Sequence, residues 1–122
     1  MAISNLKTKR KYEQKGRLAE KWAALFLQLK GYKILKRRYQ NPLGEIYLVL
    51  QKGRSIIFCE VKARASFNGG LEALSPHQQR RITNGARHFQ ARHPAFQSYD
   101  YRFDYLVVQG WRCHHLKNAW QD

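Results

Sequence analysis

At 122 residues the chain has material for one folded core, so a single domain over 13–122 is expected, preceded by a basic arm over 1–12. Lys and Arg total 23 against 8 Asp and Glu, a net charge of +15, while 43% hydrophobic residues exclude a disordered polycation. Such a charge draws polyanions, and nucleic acid, DNA first, is the expected partner.

The arm carries Lys7, Lys9, Arg10 and Lys11 but lacks the apolar centre of a signal peptide, and no run reaches membrane-spanning length. A cytoplasmic protein without membrane attachment is expected, with a homodimer left open. Leu18, Trp22, Leu25, Phe26 and Leu29 then recur at helical spacing, and Gly31 is placed to end the helix. A short strand over about 32–38 contains Lys36, Arg37 and Arg38. It leads through a loop with Asn41, Pro42 and Gly44 into a hairpin, GEIYLVL and SIIF around Gln51-Lys52-Gly53-Arg54. Asn68, Gly69 and Gly70 suggest a flexible loop over 65–74. Ser75-Pro76-His77-Gln78 opens a second helix, with serine as N-cap, proline in the first turn and Gln78 at the reciprocal capping position. Ile82, Ala86 and Phe89 form its buried stripe, while Arg80, Arg81 and Arg87 fall outside it. The His93-Pro94 break precedes a strand over 101–108, and the tail from about 116 reads as a terminal turn.

The hairpin collects the residues with chemistry. A turn centred on Lys52 and Gly53 would set Tyr47 opposite Phe58 and Glu45 opposite Glu60. With a period of two, Glu45, Tyr47 and Val49 would share a face with Phe58, Glu60 and Lys62. Ile46, Leu48, Ile57, Cys59 and Val61 would take the other, making Cys59 a reduced core residue. Two opposed carboxylates repel unless a cation intervenes. Magnesium accepts hard oxygen ligands, and Lys62 could orient water or stabilise charge on a phosphate, so the spacing suits metal-assisted phosphodiester hydrolysis. The plainer reading of Glu-x-Lys on a strand is an exposed face with a cross-strand ion pair. Cys113, beside His114 and His115, reads as a free thiol, because three adjacent residues do not converge on one metal ion.

The ordered string GRLAEKWAALFLQLKGY, GEIYLVL, IIFCEVKAR, SPHQQRRI, RFDYLVV and HLKNAW, from about residue 15 to the C-terminus, resembles the YraN family of small bacterial proteins. The resemblance implies an α/β restriction-endonuclease-like fold of the PD-(D/E)XK superfamily, related to archaeal Holliday junction resolvases. A mixed sheet of four to five strands flanked by helices is therefore expected. It further implies catalytic roles for Glu60, Lys62 and Glu20, and Mg2+ or Mn2+ held by Glu60, Glu20 and Glu45. Nucleic acid would meet Lys36, Arg37, Arg38, Arg64, Arg80 and Arg81. Arg102 and Asp104, in the RFD segment, read as structural. Two positions depart from the family pattern. Tyr47 stands where the GEID aspartate would be, and Gln78 where a lysine often stands. A phenol is a poor magnesium ligand, so the implied hydrolysis of branched or structured DNA would be impaired. The alternative is a DNA- or RNA-binding module that keeps the nuclease fold without catalysis.

Overall fold

The computed structural model describes residues 2–121, with side chains from residue 16. Helix α1 (Ala2–Leu29) is followed by strands β1 (Lys33–Asn41), β2 (Gly44–Lys52) and β3 (Ser55–Ala63). Helices α2 (Phe67–Glu72) and α3 (Pro76–Arg92) and a 3-10 turn (Pro94–Phe96) precede β4 (Asp100–Gln109) and β5 (Arg112–Trp120). The helical backbone of α1 includes residues 2–12, the stretch assigned from sequence to the arm.

The five strands form one sheet in the order β1-β2-β3-β4-β5. Neighbours are antiparallel except β3 and β4, which run parallel and are joined through α2 and α3. The mixed five-stranded sheet flanked by helices is thus the architecture expected. On one face, small residues of α1 (Ala19, Ala23, Ala24) let the helix approach closely, and Leu27 fills the gap against Leu48, Leu50, Ile57, Cys59 and Leu106. On the other, Ile82, Ala86 and Phe89 of α3 pack on Ile46, Val49, Ile56, Phe58, Tyr105 and Val107. Each fully buried Leu, Ile or Phe contributes about 1.5–3 kcal/mol through lost apolar surface. The central strands are therefore covered on both faces, which explains why they read as continuous apolar runs.

Several local expectations are corrected. Residues 65–74 are not simply a loop: Ser66 accepts a hydrogen bond from the Gly69 amide at 3.0 Å and caps α2. The tail is not a terminal turn but the edge strand β5, which completes its backbone bonding on β4. The β2–β3 register lies two residues from that expected. Lys52 faces Ser55 and Leu48 faces Cys59, because Gly53, at φ 59°, allows a two-residue turn with Arg54. Face alternation also breaks in β2. Ile46 and Val49 join the α3-side core, whereas Tyr47 and Leu48 both join the α1-side core. The break lies opposite Arg38, whose φ of 50° is the left-handed region and spoils the pleat at that point of β1.

Candidate functional site

The β2–β3 ladder ends at Leu48 and Cys59, although β2 reaches back to Gly44 and β3 runs on to Ala63. Beyond that point β2 stays with β1, down to Asn41 and Gly44, while β3 stays with β4, up to Ala63 and Val108. The sheet splits between its second and third strands. The polar residues of the hairpin lie along this split, in two groups.

The first group is Glu60, Lys62, Glu45 and Gln78. Glu60 is buried, and its two oxygens accept hydrogen bonds from the Val61 amide at 3.0 Å and from Gln78 Nε2 at 2.5 Å. Burial pushes its carboxyl above the usual range, and the Lys62 charge, Gln78 and the Val61 amide pull it back; the charge of Glu45 adds a smaller upward push. Glu45 and Glu60 are not cross-strand partners, because the ladder has already ended. Ser75 caps α3 as expected, accepting from the Gln78 amide at 3.1 Å. The Gln78 side chain does not close a capping box. It crosses to Glu60 instead, where Nε2 donates to a buried carboxylate oxygen that would be costly to leave without a donor. The only signal for this contact in the sequence was a Gln in a position with two possible uses.

The second group is Tyr47, Glu20 and Arg38. Arg38 Nη2 lies 2.6 Å from Glu20 Oε2, and its guanidinium sits 5.9 Å from the Tyr47 ring centre. The Tyr47 phenol lies near enough to Glu20 for the carboxylate to act on its titration. Burial first and the Glu20 carboxylate second raise its pKa, Arg38 and Arg37 act against both, and the net result is a value of about 12, so the phenol stays neutral. Sequence reasoning placed Arg38 on phosphate and missed its pairing with Glu20, which depends on the left-handed turn of a strand residue. Glu20 meets Tyr47, but no contact joins it to Glu60 among the described residues.

Gly44 holds the split against α3. A Cβ there would lie 1.9 Å from the Arg81 carbonyl oxygen, so the strand start approaches the helix backbone more closely than any side chain permits. Lys36, Arg37, Arg64, Arg80 and Arg81 are exposed; Arg37 faces Leu48 at the last rung before the split, and Arg64 follows the end of β3. Arg80 also borders a groove of about 370 Å³ along the outer face of α3, with Gln79, Thr83, Asn84 and Trp120.

A divalent ion would need several hard oxygens aimed at one point. Among the described residues no three His, Cys, Asp or Glu side chains gather in that way. The oxygens of Glu60 are engaged by Gln78 and Val61, and Glu20 is held by Arg38. The residues present do not fit a magnesium site as they stand.

The RFD segment builds a separate, structural network. Asp104, fully buried, accepts from Arg102 Nε at 2.7 Å and Nη2 at 2.8 Å, from His115 Nε2 at 2.7 Å and from the Asn118 amide at 3.0 Å. Arg102 Nη2 also donates to the Tyr32 hydroxyl at 3.0 Å. The network fastens β5 and the end of α1 to β4.

Fold and site together define a small, strongly basic mixed α/β domain whose acids and lysine gather where the central strands part. The chain belongs to the family described as "Uncharacterised protein family UPF0102", the family of the YraN proteins, whose profile matches residues 19–108. It is similar to a UPF0102 protein of Parvibaculum lavamentivorans, 44% identical over 107 residues (87% of this chain, 80% of the relative). A UPF0102 protein of Paramagnetospirillum magneticum is 40% identical over 114 residues, covering 89% of this chain and 88% of its own. One of Bartonella bacilliformis is 34% identical over 116 residues, 94% of this chain and 95% of the relative. Among the described residues no helix is long and apolar enough to cross a membrane.

Proposed function

We propose that this protein is a nucleic-acid-binding, endonuclease-like protein that grips the phosphate backbone of branched or structured DNA and whose metal-dependent hydrolysis is impaired at Tyr47. The observation that carries this reading is the acid and lysine of β3, Glu60 and Lys62, left at the split of the sheet in a domain that exposes Lys36, Arg37, Arg64, Arg80 and Arg81. Cations at such a cleft bind phosphates by releasing counterions, and a lysine there can stabilise charge on a phosphate oxygen.

The impairment rests on the Tyr47, Glu20 and Arg38 cluster. A neutral phenol stands where a carboxylate would ligate, and the Arg38 guanidinium supplies positive charge that a divalent ion would otherwise bring. Magnesium or manganese would supply Lewis-acid activation once the carboxylate is restored. The same cluster favours a second reading, a binding module without catalysis.

Titration onto junction, duplex and single-stranded DNA and RNA, with and without magnesium or manganese, tests both. Affinity should fall steeply with salt, and the wild type should cleave weakly or not at all. Tyr47→Asp combined with Gln78→Lys should raise magnesium-dependent cleavage, and adding Glu60→Ala should abolish the gain. Affinity that ignores salt would refute backbone binding. Strong wild-type cleavage that survives Glu60→Ala would refute the site, and a repaired variant that binds without cleaving would leave the module reading in place.

A further inference from the structure

Helix α1 is apolar on two opposed sides. Ala19, Ala23, Ala24 and Leu27 are buried against the sheet. At about 100° per residue, their mean direction lies roughly 150° around the axis from a second row, Leu18, Trp22, Leu25 and Leu29. Its leucines face outward, with Leu18, Leu25 and Leu29 66%, 47% and 76% exposed, while Trp22 between them is partly buried and packs back against the core. Beside it the β4–β5 turn presents Trp111, 82% exposed. Trp22 fixes that turn to the helix, donating from Nε1 to the Trp111 carbonyl at 3.0 Å and meeting its ring edge-to-face at 5.7 Å between centres. A surface helix ordinarily carries one apolar stripe and a polar opposite face, and contiguous exposed Leu and Trp mark an interaction surface.

The spacing says what kind of partner fits. Successive steps of 4, 3 and 4 residues from Leu18 to Leu29 are those of the a and d seam between two packed helices, and the row is about 17 Å long. Its surroundings are basic, with Arg17, Lys21, Lys30 and Arg112 all exposed. The one acid on this stretch, Glu20, is held by Arg38. We propose that the row is a docking seam for an amphipathic helix of another protein, apolar at its a and d positions and flanked by Asp and Glu.

A second copy fits poorly, since its own row is bordered by the same cations and offers no free acid among the described residues to meet them, in molecules already charged at +15. A bilayer calls for a broad apolar face lying flat, whereas a single a and d row is the narrow seam of helix pairing.

The probe is a synthetic amphipathic helix with Leu at every a and d position and Glu at every e and g position, compared with the same helix carrying Lys at e and g. The Glu helix should bind, shift the Trp111 fluorescence to the blue and lose affinity as salt rises. Leu18→Ser with Leu25→Ser, and separately Trp111→Ser, should each weaken binding by about tenfold or more. Arg17→Glu with Lys21→Glu, which leaves the apolar row intact, should transfer preference to the Lys helix. Equal binding of both helices, binding of neither, or a charge reversal without effect would overturn the proposal. So would a dimer of the protein alone that buries Trp111, or tighter attachment to phosphatidylserine vesicles than to the Glu helix.

Discussion

Replacing Asp104 with asparagine keeps the shape of the side chain and removes its charge. Burial alone would push this carboxyl up, but hydrogen bonds from His115, Arg102 and the Asn118 amide, with the Arg102 charge, hold it below the ordinary carboxylate value. Four hydrogen bonds of 2.7, 2.7, 2.8 and 3.0 Å converge on its two oxygens. The substituted side chain could accept at one oxygen only, and its amide nitrogen would face donors. Arg102, half-buried, would lose its counter-charge. Breaking one partner of a buried ion pair costs about 3–5 kcal/mol, a large share of the ~5–15 kcal/mol that holds a domain folded. With about 2.1 cal/mol/K per residue over the 122 residues, the melting point should drop by roughly 12–20 °C. Thermal denaturation followed by circular dichroism measures this. The pH dependence adds a second check. A carboxyl lowered in the folded state contributes stability that is present above its unfolded pKa and lost as pH falls through the folded one. The gap between wild type and Asp104→Asn should therefore be widest at neutral pH and narrow below about pH 3.9. A drop of less than about 4 °C, or a gap that stays constant into acid, would refute the assignment of RFD as a buried structural anchor.

Glu60→Gln should stabilise the fold at neutral pH. A carboxyl raised by burial contributes stability below its unfolded pKa and loses it as pH rises through the folded one, so the variant's advantage should grow from acid to neutral in denaturant titrations. Gly44→Ala should cost about 1–3 kcal/mol, since the added methyl would meet the Arg81 carbonyl oxygen at 1.9 Å and force α3 outward; an unchanged unfolding midpoint would contradict that approach. Lys36→Ala with Arg37→Ala should weaken binding to all nucleic-acid sequences alike and reduce the salt slope by about 2, whereas an unchanged slope would remove β1 from the interface. Cys59, fully buried with its thiol pushed well up by burial, should resist alkylation until the protein unfolds, while half-buried Cys113 should react sooner; rapid labelling of native Cys59 would contradict its place in the core.

Much of this protein was legible one element at a time. The continuous apolar runs of the hairpin, the Ser75-Pro76 start of α3 and the stripe of Ile82, Ala86 and Phe89 are local signals, because a run, a period or a cap depends on neighbours along the chain. The nearness of Glu60 and Lys62 could likewise be read, since residues two apart on a strand share a face. Tertiary structure decided the rest. The β2–β3 register turned on where the two-residue turn formed, and a shift of two preserves the pattern of faces that sequence reasoning uses. Whether Gln78 capped its own helix or crossed to Glu60 depended on a buried carboxylate from another strand. Arg38 looked free for phosphate until the left-handed backbone at that position brought it to Glu20 and Tyr47. The tail became β5 only because β4 offered an open edge, and the His115 ring and the Asn118 backbone amide in it satisfy Asp104. Local free energies are written in the chain, whereas pairings between distant groups follow from which buried charge has to be satisfied and by what.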